Sequence, residues 1–324
     1  MERVYDWRPD VLGDGFEALT LGLGDDDEGP VVATLVRYSP PTSAPVRAVR
    51  VVLYLHGWSD YFFQVPLAQF WAAQGAAFYA LDLRKYGRSL RPHQTPTYTD
   101  DLAVYDEDLD AALAVVEAEH GPHARVLLMG HSTGGLVACL WADRHPGRVA
   151  GLVLNSPWLE LQGSSVVRTV SAPAIAQLAR IQPKGALPNI DPGHWARAVQ
   201  VATGGEWTYD ERWRPNPAFP VRPGWLNAIV AGHAAVARGL DVAVPVLVAV
   251  SDRTIISPLW SEDMRRADVV IDVEAVVDRA VRLGPVVTVL RIAGGMHDLT
   301  LSARPVRAQL YAELERWLAG YGWG

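Results

Sequence analysis

Short apolar runs recur along the chain and are separated by polar turns or by segments with helical spacing. Apolar runs of about four to eight residues between turn residues are typical of buried strands, whereas apolar positions three and four apart indicate helices. Because the two patterns alternate after an initial hairpin, we expect an α/β fold with a mostly parallel, doubly wound, eight-stranded sheet. The predicted strands are residues 16–23, 30–38, 49–55, 76–81, 126–130, 148–155, 244–250 and 286–292.

The alternation stops between residues 157 and 241, after the sixth predicted strand. No run there fits a strand, and prolines and tryptophans are frequent. A structureless loop of this length is rare in a compact domain, so we expect short helices that form a lid over the carboxyl ends of the strands. The α/β core is then residues 1–156 and 242–324, and the lid (157–241) is an insertion in the same domain.

Composition narrows the possible partners. The 324 residues are 49% hydrophobic and 20% charged, and the net charge of −7 disfavours nucleic acid as a partner. The N-terminus lacks the pattern of a signal peptide, and no apolar run is long enough for stable membrane insertion, although transient lipid contact stays compatible with this sequence. The single cysteine, Cys139, fits a reducing compartment, so we expect a cytoplasmic protein. Nothing in the sequence indicates an oligomeric state.

The strongest chemical motif follows the predicted strand at residues 126–130. Gly130, Ser132 and Gly134 form a G-x-S-x-G pattern, and a helix is predicted directly after it. In this strand-to-helix turn the glycines make room for a strained serine whose hydroxyl projects above the sheet. Ser132 is therefore the predicted nucleophile.

A serine nucleophile needs a base and an acid. His297 lies in a glycine-rich turn after the last predicted strand and is the predicted base. Asp252 directly follows the strand at residues 244–250 and is the predicted acid, because the other site residues also lie at strand ends. Asp272, which is nearer to His297 in the sequence, is the alternative acid.

Backbone amides are expected to stabilise the oxyanion. His56 and Gly57 follow the predicted strand at residues 49–55, and glycine lets the chain turn so that the amide of Trp58 points into the cleft. The second donor would be the amide of Thr133 at the start of a helix. His56, Gly57 and His131 are predicted to form part of the pocket wall.

These motifs together resemble those of an α/β-hydrolase fold family, the monoacylglycerol lipase, lysophospholipase and serine aminopeptidase group. The similar stretches are His56-Gly57, residues 82–89, residues 130–134, residues 251–253 and His297. The chain departs from the family pattern at Lys85-Tyr86 and in the long stretch at residues 261–284, which keeps Asp272 open as the acid. The resemblance implies hydrolysis of fatty-acid esters or peptides through an acyl-enzyme, with no cofactor.

The sequence therefore favours a serine hydrolase that cleaves carboxylic esters of lipid-like acyl groups, such as a monoacylglycerol or a lysophospholipid, with a small-molecule ester as its partner. A serine aminopeptidase is the first alternative, because Glu206, Asp210 and Glu211 in the lid could hold a free amino group. A hydrolase-fold protein that binds a ligand without catalysis is the second. The acidic turn at residues 25–28 is interpreted as a solvated loop, and we expect no metal site.

Overall fold

A computed structural model describes residues 5–40, 48–162, 165–188 and 191–323, with the side chains of residues 165–171 and 322 left aside. Its described part contains one mixed sheet, and each of the eight predicted strands is found in it. The prediction of eight strands missed a ninth, β1, because two residues are too short to show an alternating pattern. The strands are β1 Arg8–Pro9, β2 Phe16–Asp26, β3 Gly29–Tyr38, β4 Arg50–Leu55, β5 Ala77–Asp82, β6 Arg125–His131, β7 Gly151–Asn155, β8 Val246–Ser251 and β9 Val287–Ile292.

The sheet order is β1-β2-β3-β5-β4-β6-β7-β8-β9. Strands β1 to β3 are antiparallel, and β3 pairs antiparallel with β5. The remaining strands, in the sheet order β5-β4-β6-β7-β8-β9, are parallel to one another. The carboxyl ends of these parallel strands therefore lie at one edge of the sheet, which is where open α/β sheets place their ligands.

Helices cover both faces, as expected for a doubly wound sheet. One face packs against α1 and α8 through Leu67, Trp71 and Leu314. The other face packs against α2, α3 and α7 through residues such as Leu109 and Leu136. The helices are α1 Val65–Ala73, α2 Tyr105–His120, α3 Thr133–Arg144, α4 Ser165–Ile181, α5 His194–Val199, α6 Pro223–Arg238, α7 Val273–Ala280 and α8 Arg304–Trp317.

The insertion (residues 157–241) is helical in its described part and adds no strand to the sheet. It contributes α4, α5 and α6, of which α6 belongs to the main hydrophobic core together with α2 and α3. Trp195 and Trp207 of the insertion belong to a separate apolar cluster, in which they pack with Phe63 and Leu301 of the core. Within the described residues, none of the helices has both the length and the apolar character needed to cross a membrane.

In the acidic turn at the end of β2, Asp25 and Asp27 are exposed, as expected of a solvated loop, but the other acids of the turn pair with lysines. Lys85, which is only 3% exposed, lies 2.5 Å from Asp26 and 2.7 Å from Glu28. Lys184, from the insertion, binds Asp27 and Glu28. Burial opposes ionisation of Glu28, but hydrogen bonds from Lys85, Thr95 and Lys184 lower its pKa to about 2. Through the ion pairs of Lys184, the turn thus links the β2–β3 hairpin to the insertion.

Candidate active site

Ser132 occupies a strained turn between β6 and α3. Its φ of 51° lies in the left-handed region, which a residue with a side chain adopts only when the surrounding packing holds it there. A Cβ on Gly130 would lie 2.5 Å from the carbonyl oxygen of Gly134, and a Cβ on Gly134 would lie 2.3 Å from that of His56. Only glycine fits at both positions, which explains the spacing of the motif.

Ser132, His297 and Asp268 form one hydrogen-bonded chain. The Oγ of Ser132 lies 3.0 Å from Nε2 of His297, and Nδ1 of His297 lies 2.8 Å from Oδ2 of Asp268. All three side chains are buried, and Asp268 is completely so. Since an ionised carboxylate only accepts hydrogen bonds, Nδ1 carries the proton and the lone pair of Nε2 faces the serine hydroxyl. This is the arrangement in which an imidazole removes the serine proton.

The prediction that Asp252 lies against His297 was wrong. Asp252 is exposed, and its Oδ1 accepts a hydrogen bond from the amide of Gly294, so it stabilises the turn that precedes the histidine. The alternative, Asp272, was also wrong, because its carboxylate caps α7 by accepting from the amides of Glu274 and Ala275. The structure brings neither of these carboxylates to the histidine.

Between β8 and Asp268 the chain makes an excursion (residues 252–268) that leaves the end of β8 and comes back beside it. The amide of Asp268 donates to the carbonyl of Arg253, and the amide of Ile255 donates to the carbonyl of Asp268. Oδ1 of Asp268 accepts from the amides of Val270 and Ile271, which orients Oδ2 toward the imidazole. A carboxylate therefore does lie beside the end of β8, but it belongs to the returning end of the excursion and not to the residue directly after the strand.

The predicted oxyanion residues lie on either side of Ser132. A Cβ on Gly57 would lie 3.2 Å from Cβ of Ser132, so the chain between Gly57 and Trp58 passes directly beside the nucleophile. Thr133 is the first residue of α3, where the amides have no acceptor within the helix. The amides of Trp58 and Thr133 therefore remain the predicted oxyanion donors.

The loop at residues 57–60, which carries the predicted oxyanion amide of Trp58 and is called the oxyanion loop below, is held by the insertion. Arg214 donates to the carbonyl of Ser59 and lies 2.9 Å from the buried carboxylate of Asp60. The amide of Phe219 donates to Oγ of Ser59. The loop is therefore fixed by residues of the insertion as well as by the sheet, a contribution that no local sequence pattern indicates.

The three residues predicted for the pocket wall have different roles. Nε2 of His56 accepts from the amide of Leu83, which leaves Nδ1 to donate to the carbonyl of Gly57. His56 and Gly57 line a small cavity together with Thr133 and Gly134 at the start of α3. The ring of His131 lies 4.9 Å from that of His297, and burial lowers the pKa of His131. His131 is thus part of the wall around the base.

Asp298 holds the loop that carries His297 and was missed by the sequence analysis. It is fully buried and accepts hydrogen bonds from Gln64, Asn155 and Thr300. Burial raises the pKa of Asp298, but His131 and these hydrogen bonds outweigh burial, so the net shift is downward. The loop is therefore attached to the end of β7 by a buried, ionised carboxylate.

Replacing Asp298 by asparagine is expected to lower the free energy of unfolding by about 2–4 kcal/mol near neutral pH, because the new amide must face hydrogen-bond donors. Since the folded state lowers the pKa of Asp298, its ionisation stabilises the fold above the ordinary carboxyl pKa, and this contribution disappears as the pH falls through the lower folded-state value. Urea unfolding at about pH 7 and about pH 3 measures both effects.

The exposed Asp252 supplies the control. Asp252→Asn is expected to lower the free energy of unfolding by less than about 1 kcal/mol at neutral pH. A difference between wild type and Asp298→Asn that stayed constant from neutral to acidic pH would contradict the ionised state of Asp298.

The sheet order, the helices on both faces and the strained serine between β6 and α3 define an α/β-hydrolase fold. Solved structures with this fold include monoglyceride lipase from Saccharomyces cerevisiae, with a TM-score of 0.61, 15% identity and coverage of 93% of this chain and 95% of that one. Monoacylglycerol lipase from Paleococcus ferrophilus has a TM-score of 0.61 and 18% identity, with coverage of 94% and 98%. At these identities the likeness establishes the fold.

Residues 46–301 match the family described as serine aminopeptidase, S33, and the chain belongs to that family. This confirms the resemblance inferred from the sequence. Monoacylglycerol lipase from Mycolicibacterium smegmatis is 30% identical over 131 residues, which are 40% of this chain and 45% of that protein. Phospholipase YtpA from Bacillus subtilis is 32% identical over 119 residues, 36% of this chain and 43% of that protein. The chain thus matches less than half the length of these relatives.

Proposed function

We propose that this protein is a serine hydrolase that cleaves carboxylic esters through an acyl-serine intermediate. The observation that carries the proposal is the buried chain from Ser132 Oγ through His297 to Asp268, with distances of 3.0 Å and 2.8 Å. A serine, an imidazole and a carboxylate in this geometry suit acyl transfer. The relatives named lipase and phospholipase support the same class of reaction.

In the proposed mechanism, Nε2 of His297 takes the proton of Ser132 while Oγ bonds to the carbonyl carbon of the ester. The carbonyl oxygen becomes an oxyanion that accepts hydrogen bonds from the amides of Trp58 and Thr133. Asp268 remains ionised and stabilises the imidazolium, which then donates its proton to the departing alkoxide. A water molecule repeats the sequence on the acyl-serine, releasing the carboxylic acid and restoring the hydroxyl of Ser132.

We assign the insertion (157–241) as the lid of the proposed active site and the remaining chain as its core. The contacts of Arg214 and Phe219 with the oxyanion loop support this assignment, because that loop follows β4 at the carboxyl edge of the parallel strands. The names of the relatives support the lipid-like ester class that the sequence suggested.

Aminopeptidase activity is the second candidate, favoured by the family description. Such an enzyme needs a carboxylate that is available to a free amino group. The acids predicted for that role have partners: Glu206 pairs with Arg307, Asp210 pairs with Arg212, and Glu211 accepts from Gln200. These contacts favour ester hydrolysis over removal of an amino-terminal residue.

Labelling with a fluorophosphonate, which phosphonylates an activated serine with loss of fluoride, tests the proposal. We expect one stoichiometric adduct on the peptide that contains Ser132, and none on heat-denatured protein, since activation depends on the assembled triad. Steady-state rates on p-nitrophenyl esters and on aminoacyl anilides distinguish the two activities. Absence of an adduct and of ester turnover would favour the non-catalytic binding protein, and turnover confined to anilides would favour the aminopeptidase.

A further inference from the structure

We propose that Arg214 is a positioning residue of the ester hydrolysis: it holds the oxyanion loop in the conformation that keeps the amide of Trp58 beside Ser132. Through Arg214 the insertion completes the oxyanion hole. The inference rests on the proposed function and deepens it, because it names a residue on which stabilisation of the oxyanion depends. It is carried by the place of the amide, the strain in the loop and the contacts of the insertion with that loop.

The amide of Trp58 lies next to the nucleophile and is left without an acceptor. A Cβ on Gly57 would lie 3.2 Å from Cβ of Ser132, so the chain that leads into Trp58 passes against the serine. Among the described residues, the amide of Trp58 donates no hydrogen bond. Since backbone N–H groups in a protein interior normally have an acceptor, this amide is available to an oxygen of the substrate.

The oxyanion loop is strained at the residue after this amide. Ser59 has a φ of 51°, in the left-handed region that a serine adopts only when its surroundings hold it there. Ser59 directly follows Trp58 in the chain, so a change of the backbone at Ser59 moves Trp58 relative to the nucleophile. The position of the amide therefore depends on whatever stabilises Ser59.

The insertion holds Ser59 at both of its oxygens. Nη1 of Arg214 donates to the carbonyl of Ser59 at 3.1 Å, and the amide of Phe219 donates to Oγ of Ser59, also at 3.1 Å. The same Nη1 lies 2.9 Å from Oδ1 of Asp60, as an ion pair whose geometry is not that of a hydrogen bond. Arg214 thus holds the loop through a backbone carbonyl and a charge at once.

Arg214 is itself fixed by its surroundings. Its guanidinium carbon lies 3.3 Å from the centre of a Trp195 ring, and the amide of Arg214 donates to the carbonyl of Asp210. The amide of Asp210 in turn donates to the hydroxyl of Tyr61, directly after the oxyanion loop. Asp60 is buried, so removal of Arg214 leaves that carboxylate without its counter-charge and releases the loop.

The first test replaces Arg214 by glutamine, which lacks both the charge and the reach. We expect kcat on p-nitrophenyl acetate to fall about a hundredfold and KM to change less than about threefold, because an oxyanion donor acts mainly in the transition state. Arg214→Lys is expected to retain at least about a tenth of the wild-type kcat. Both contacts of Arg214 come from one nitrogen, so an ammonium group can replace it.

A trifluoromethyl ketone distinguishes positioning from a loss of folded protein. Oγ of Ser132 adds to its carbonyl carbon, the hydroxyl proton passes to His297, and the carbonyl oxygen becomes an oxyanion in the hole. We expect the inhibition constant of Arg214→Gln to rise by the same factor as kcat/KM falls. Active-site concentration is measured by titration with a fluorophosphonate. A lower titre with an unchanged inhibition constant would overturn the positioning role.

Arg222→Gln is the matched control, because Arg222 is an arginine of the insertion that donates to a backbone carbonyl within the insertion itself, that of Lys184. It is expected to keep kcat, KM and the inhibition constant within about threefold of wild type. Ser59→Ala provides a second variant if Arg214→Gln does not fold. It keeps the Cβ and loses the bond from Phe219, so kcat is expected to fall about fivefold with a matching rise in the inhibition constant.

The outcomes separate this inference from the proposed function. Wild-type kcat and inhibition constants in Arg214→Gln and Ser59→Ala would overturn the positioning role and leave ester hydrolysis intact. A rise in KM at unchanged kcat would also overturn it, because it indicates a direct contact of Arg214 with the substrate. Failure of the wild type to hydrolyse any ester, together with the absence of a fluorophosphonate adduct, would instead overturn the proposed function.

Discussion

Asp268→Asn is expected to reduce kcat for ester hydrolysis about 10⁴-fold, whereas Asp252→Asn is expected to change it less than about threefold. Asparagine occupies the same volume as aspartate, but it neither stabilises an imidazolium nor keeps the proton on Nδ1 of His297. Asp268 lies 2.8 Å from that nitrogen, whereas the exposed carboxylate of Asp252 accepts from the amide of Gly294. Steady-state kinetics on p-nitrophenyl acetate measures both changes.

The same comparison includes Asp272→Asn. That variant loses part of the cap of α7 and is expected to lower the free energy of unfolding by about 1 kcal/mol with little change in kcat. Thermal unfolding of all three variants separates a loss of folding from a loss of chemistry. Equal kcat values for wild type and Asp268→Asn would remove Asp268 from the proposed triad.

Ser132→Ala is expected to reduce kcat about 10⁶-fold, because the hydroxyl that forms the acyl intermediate is gone while the fold and the oxyanion amides remain. Alanine has the same Cβ as serine, so the strained turn with its φ of 51° is retained. Single-turnover measurements on p-nitrophenyl acetate determine the residual rate. Retention of a burst of p-nitrophenol in this variant would show that another residue is the nucleophile.

Thr133→Ala is the matched control for the neighbouring position. In the proposed mechanism Thr133 contributes its backbone amide, which alanine keeps, so this variant is expected to lose far less activity than Ser132→Ala. A loss as large as that of the serine variant would assign the catalytic role to the threonine side chain.

The central strands β4 to β8 were predicted well because they are buried on both faces and are therefore continuous apolar runs. The nucleophile turn was predictable for a different reason: the glycines around Ser132 are required by contacts of less than 3 Å that any Cβ would make. His297 was found because it follows the last strand, as the order of the motif requires. These features depend on residues that are close together in the sequence, so a single sequence is enough to predict them.

The acid was not predictable in the same way, because its position depends on a long-range pairing between Arg253, Ile255 and Asp268. Asp272 did carry a local signal, since an aspartate directly before a helical pattern is typical of an N-cap. The stretch also contains other carboxylates, so assigning Asp272 to the cap would not by itself have identified Asp268 as the acid. Lys85 and Arg214 also make their contacts with residues far away in the sequence. No local pattern therefore indicated that Lys85 binds the acidic turn or that Arg214 binds the oxyanion loop.

The excursion between β8 and Asp268 has a consequence for how such a protein could change. Its two ends are hydrogen-bonded to each other, so the position of Asp268 is set by that closure rather than by the number of residues between the ends. The cost of closing a flexible loop rises by only about 0.6 kcal/mol when its length doubles. The far part of the excursion contacts the insertion, where the carbonyl of Ser257 bonds to His194. Residues can thus be gained or lost in the far part of the excursion while the carboxylate of Asp268 keeps its position beside the imidazole of His297.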